Sequence, residues 1–92
     1  TLLPLNPVRS LTSGENAIVQ ATEFKHNRTT GDTVRFRETA DFDGITTTVL
    51  EASSGYTITV VDDNNYKFTS TGTATTGNVS GGGSTTTAGP TT

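Results

Sequence analysis

Three observations predict an all-β fold for this chain. Apolar and polar residues alternate in short runs, turn formers separate those runs by roughly eight to twelve residues, and no longer window carries helical periodicity. About five to six short antiparallel strands at that spacing predict a small antiparallel β-barrel, because closing a sheet removes its exposed edges.

The clearest strand is Thr33–Arg37, where Val34 and Phe36 alternate with Thr33, Arg35 and Arg37, turning apolar side chains inward and charges outward. Thr30-Gly31-Asp32 forms the turn into it. A second run, 56–61, places Tyr56, Ile58 and Val60 on one face. Asp62-Asp63-Asn64-Asn65 then supplies turn residues, and 66–69 returns with Tyr66 and Phe68 on a common face, which predicts a hairpin. Weaker strands are expected over 17–24, over 46–51 and near Val8. The faces together predict a core of Val8, Ile18, Phe24, Val34, Phe36, Ile45, Val49, Tyr56, Ile58, Val60, Tyr66 and Phe68. A slip of one residue inverts a strand's contribution, and the adjacent pair Ile18-Val19 is where the two phases compete most closely.

Composition divides the chain of 92 residues into three parts. An apolar arm, 1–7, precedes a barrel, 8–69. Beyond Lys67 no charged residue occurs, and the threonine-, glycine- and serine-rich stretch 70–92 offers too little apolar surface to offset the entropy of ordering it. It is expected to be an extended C-terminal arm or linker, laid along a neighbouring subunit, a role that suits threonine's β preference. Only 29% of residues are hydrophobic, so the core is expected to be thin and partner contacts important, with homo-oligomerisation a natural remedy.

Several function classes lose their minimum requirements. There is no cysteine, hence no disulfide, thiolate metal site or thiol nucleophile. A net charge of −3 gives no electrostatic case for nucleic acid or anionic lipid as a partner. No run of about 18 apolar residues exists, and the opening Thr1-Leu2-Leu3-Pro4-Leu5 lacks the basic start of a signal peptide, so the chain reads as soluble. His26 is the single imidazole, flanked by Lys25, Asn27 and Arg28, and reads as a loop residue before a turn rather than a general base.

Asp41-Phe42-Asp43-Gly44 resembles the start of a calcium loop. With Gly44 in the glycine position, however, the first and closing ligand positions fall on Thr39 and Leu50, so a turn is the simpler reading and no metal or other cofactor is expected. Arg35 and Arg37 share a strand face without an interleaved aromatic, which reads as a solvated or subunit-facing surface. Asn27-Arg28-Thr29 and Asn78-Val79-Ser80 match the glycosylation triplet, a pattern that arises easily in a threonine-rich chain. The expectation is a non-enzymatic protein.

Several of these runs occur together in a known order. His26-Asn27-Arg28-Thr29-Thr30-Gly31-Asp32-Thr33-Val34-Arg35-Phe36, then Phe42-Asp43-Gly44, then Tyr56-Thr57-Ile58-Thr59-Val60-Val61-Asp62 and Tyr66-Lys67-Phe68, resemble a module of phage virion proteins. That module is similar to the β-barrel first catalytic cysteine half-domain (FCCH-like) of ubiquitin-activating enzymes. Asn27 and Arg28 stand where the family pattern has glycine and an apolar residue. The resemblance implies a scaffold without ubiquitin chemistry, located in a bacteriophage virion, on the particle surface or tail. It implies a structural protein, foremost a capsid decoration or cement protein touching other virion proteins. A tail, connector or fibre module, with host-receptor or glycan binding, is the alternative. On this reading the contacting residues are Leu2, Leu3 and Leu5 at the front, Arg35 and Arg37 on their strand, and Thr85, Thr86 and Thr87 in the C-terminal arm.

Overall fold

The computed structural model describes residues 1–90, which fold into ten short strands and one helical turn. In chain order these are β1 (Val8–Ser10), β2 (Gly14–Glu15), β3 (Ile18–Thr22), β4 (Thr33–Arg37), α1 (Thr47–Leu50), β5 (Tyr56–Thr57), β6 (Thr59–Asp62), β7 (Asn65–Thr69), β8 (Thr73–Ala74), β9 (Ser80–Gly81) and β10 (Thr87–Gly89). They form a five-stranded sheet in the order β6-β7-β3-β1-β9, a three-stranded sheet β10-β4-β5 and a two-stranded ribbon β2-β8, all antiparallel. The all-β class is as expected, but the sheets stay separate and close no barrel among the described residues.

The core lies where the two larger sheets meet. Phe36 and Tyr56 come from the three-stranded sheet, Tyr66 and Phe68 from the five-stranded one. Tyr56 stacks on Phe68 with ring centroids 4.5 Å apart, and Phe36 lies 5.3 Å from Phe68 and 6.4 Å from Tyr66. The expected run 56–61 divides at buried Ile58, where the chain leaves one sheet for the other. There the Ile58 N–H donates to the Asp32 carbonyl, and the Ile58 carbonyl accepts from the Gly31 N–H, each at 2.9 Å.

Three sequence expectations are corrected. On β3 the inward positions are Val19 and Ala21, not Ile18, because pairing with β7 sets Val19 opposite Phe68 and Ala21 opposite Tyr66. Small side chains facing two large rings fill the layer at native density, whereas the other phase would crowd it. The same parity turns Glu23 inward and leaves Phe24, expected in the core, 65% exposed on a turn. The stretch 46–51, expected as a strand, contains the helical turn α1. Thr46 caps it by accepting from the Val49 N–H, and Asp41 accepts from the Thr47 N–H at 2.8 Å. Ile45, Val49 and Leu50 then face the core with helical spacing, which strand alternation cannot provide.

The largest correction concerns 70–92. Of this stretch, 91–92 lie outside the described residues, and 70–90 are built into the fold instead of extending from it. β8 pairs with β2, β9 with β1, and β10 with β4. Ser70, Ala74, Gly81, Gly82, Thr86 and Ala88 are buried. Counting apolar side chains misses what holds this stretch, which is backbone packed against backbone. Gly81 shows the reason for small residues: a Cβ there would stand 2.2 Å from Phe42 Cβ.

Asp43 ties the C-terminal stretch to the front of the chain. Asp43 and Gly44, with φ of 48° and 83°, make the two-residue turn that joins Phe42 to Ile45, as an Asp-Gly pair favours. The turn leaves the Asp43 carboxylate free to accept from the Ser10 hydroxyl at 2.7 Å and from the Gly77 and Thr76 N–H groups at 2.8 and 2.9 Å. The Ser10 hydrogen bond, aided by the two amides and opposed by burial, holds the carboxyl below its ordinary value of 3.8. A folded-state value lower than the unfolded one stabilises the native chain at higher pH, and that contribution disappears as pH falls through the folded value. Asp43→Asn is therefore expected to lower stability at neutral pH. Urea unfolding of both proteins should converge as pH drops below about 4. A gap that stays constant or widens in acid would show that the charge of Asp43 plays no part.

Candidate functional site

Four of the residues expected to make contacts, Leu2, Arg35, Arg37 and Thr87, gather on one sheet. The segment 1–3 lies along β10, with the Ala88 N–H donating to the Thr1 carbonyl and the Leu3 N–H to the Thr86 carbonyl, each at 2.9 Å. Leu2 thus sits opposite Thr87, and Thr87 sits opposite Arg37. Residues directly opposite share a face, so Leu2, Thr87 and Arg37 make one outward row, and Arg35, opposite Gly89, continues that face. Arg37 donates to the Pro90 carbonyl at 2.7 Å and Arg35 to the Glu51 carbonyl at 3.3 Å, which fixes both guanidiniums close to the sheet.

The eight residues do not all stay outside. Leu3 is buried in the core and Thr86 is fully buried, its hydroxyl donating to the Gly82 carbonyl at 2.7 Å. Strand parity explains both, since each lies next to an outward residue. Thr85 is exposed, its hydroxyl donating to the Glu38 carbonyl at 3.1 Å. Leu2 and Leu5 are 68% and 71% exposed. The Leu2 N–H and C=O point away from β10 and have no hydrogen-bond partner among the described residues. The outer side of β6 is better covered: Thr30 Oγ1 accepts from the Val60 N–H at 2.9 Å, and the Asp62 carbonyl is bonded to His26.

A second feature lies on the loop between β3 and β4. A cleft of about 630 Å³ is lined by Lys25, His26, Asn27, Arg28, Thr29, Val60 and Asp63. Arg28 in its wall belongs to a network that sequence reading did not single out. Glu23, 3% exposed, accepts from the Tyr66 hydroxyl at 2.7 Å and from Arg28 Nε at 3.0 Å. Burial first, and then the neighbouring Glu23, pushes the Tyr66 phenol well up. For Arg28, burial acts downward but the bond to Glu23 and its charge prevail, so the guanidinium is held charged more firmly than usual. The signal available in the sequence was parity: once β3 is phased by Val19 and Ala21, Glu23 must point inward.

His26 is fixed within this network. Its Nδ1 accepts from the Arg28 N–H at 2.8 Å, which leaves Nε2, 2.6 Å from the Asp62 carbonyl, as the donor nitrogen. The ring stands edge-on to Tyr66 at 5.3 Å. Nε2 therefore ties the loop to the β6-β7 hairpin, and Nδ1 braces the loop internally. The Asn64 amide, followed by the Asn65 side chain, keeps the Asp62 carboxyl below its ordinary value. Among the described residues, no three His, Asp or Glu side chains gather as metal ligands.

Comparison of the chain with protein-family models, with curated proteins and with solved structures returns no match.

Proposed function

We propose that this chain is a structural protein of a phage particle, foremost a capsid decoration subunit, and that it acts through protein contacts made by its N-terminal edge. The resemblance of its ordered motifs to virion modules supplies the setting. The observation that carries the contact role is the edge formed by 1–3: a backbone donor and acceptor at Leu2 with no partner among the described residues, and the largely exposed side chains of Leu2 and Leu5. Open edge backbone is a template for an added strand, and apolar side chains beside it supply the energy of association. Burying two leucine side chains contributes about 2 kcal/mol each before ordering costs. Pro4, which lacks an N–H, limits the open edge and so sets the register of an incoming strand.

Particle loading tests the proposal. Leu2→Ser with Leu5→Ser is expected to leave the isolated fold intact and to abolish loading, whereas Leu3→Ser, at a buried position, is expected to cost about 3 kcal/mol of stability. Wild-type occupancy of the double variant on purified particles would reject the N-terminal edge as the contact. Localisation by electron microscopy distinguishes the two places in the particle: copies spread over the shell mark decoration, and a single ring marks tail or neck.

A further inference from the structure

We propose that the cleft between the 25–29 loop and the β6-β7 hairpin binds an uncharged, polyhydroxylated ligand, a saccharide. The inference goes beyond the assembly role and does not depend on it. The cleft lies within the roughly 300 to 1,000 Å³ of small-molecule sites. Four of its polar side chains, those of Lys25, Asn27, Thr29 and Asp63, have no internal hydrogen-bond partner among the described residues. Together they present a carboxylate that only accepts, an ammonium that only donates, and an amide and a hydroxyl that do both. Neighbouring sugar hydroxyls, each donor and acceptor at once, match such a mixed set. Val60 adds an apolar patch for sugar C–H groups, and Phe24, 65% exposed, stands on the adjoining turn beside Lys25.

Charge selects against an anion. Arg28 is paired with Glu23 at 3.0 Å, which leaves Lys25 and Asp63 to cancel one another, and Asp62 adds a further negative charge nearby. A phosphate or carboxylate would meet no net positive field. The walls are also set before a ligand arrives. Lys25 and Asn27 hold left-handed φ values of 52° and 57°, a sparsely populated conformation that recurs at ligand clamps. His26 and Arg28 lock the loop between them to the hairpin and to Glu23. A preformed site loses less ordering entropy on binding.

The experiment is an amide chemical-shift titration of the full chain with neutral oligosaccharides, a sialylated oligosaccharide and inorganic phosphate. Neutral sugars are expected to shift resonances of 24–29 and 60–63 at millimolar concentration. Asp63→Ala and Asn27→Gly, the latter keeping a residue suited to the left-handed φ, are each expected to weaken this roughly tenfold while leaving the thermal midpoint unchanged. The proposal is overturned if no neutral sugar perturbs these residues, if the two variants bind as well as wild type, or if phosphate or the sialylated sugar binds more tightly through Lys25. Particle loading is a separate readout, so loss of sugar binding and loss of assembly are distinguishable.

Discussion

A chain ending at Thr69 is expected to lose cooperative folding altogether. The truncation removes β8, β9 and β10, and with them the outer partners of β2, β1 and β4. It strips the lid from Phe42, whose Cβ is in contact range of the Gly81 backbone, and it removes Ala88, which sits opposite Phe36. It also frees the Asp43 carboxylate from two amides and leaves the 1–3 segment with no strand to lie against. A fold this small has a net stability of only about 5 to 10 kcal/mol, so losing one partner strand from each sheet exceeds the margin. Amide spectra of the truncated chain should collapse into the unfolded range, and its urea profile should lack a transition. A dispersed spectrum with a sharp transition would mean that 1–69 is self-sufficient and that 70–90 is the accessory arm its composition suggests.

Glu23→Ala is expected to cost about 3 kcal/mol of stability. The substitution leaves the Arg28 guanidinium without its carboxylate and the buried Tyr66 hydroxyl without an acceptor. The Arg28 side chain retains 20% exposure, so water recovers part of the charge's solvation and keeps the loss below that of a fully enclosed pair. The orphaned hydroxyl accounts for a further share. Adding Tyr66→Phe to the Glu23→Ala background should therefore regain stability, although Tyr66→Phe alone lowers it. A double-mutant cycle by urea denaturation measures this, and additive losses would show that the two groups do not interact.

Legibility varied with how local the cause was. Val34 and Phe36 were placed correctly because nothing in Thr33–Arg37 competes with their alternation. Ile18 and Val19 are both β-branched and adjacent, so the local pattern is degenerate and the rings of Tyr66 and Phe68 across the sheet choose between them. Phe24 and Glu23 invert the usual order of burial for the same reason: parity is inherited from the pairing, and Arg28 and Tyr66 make the inward carboxylate tolerable. Of the residues expected to make contacts, Leu2, Arg37 and Thr87 converge on one row although their separation along the chain shows no sign of it. Their neighbours Leu3 and Thr86 are turned inward by the same alternation.

Local chemistry in the sequence determined the β class, the Asp43-Gly44 turn and the hairpin of Tyr66 and Phe68, because turn and strand preferences are written in side chains a few residues apart. The tertiary structure alone decided the phase of β3, the inward Glu23 and the incorporation of 70–90. These depend on which backbones can approach one another. A glycine that admits an aromatic ring at contact distance shows its value only when the ring is beside it.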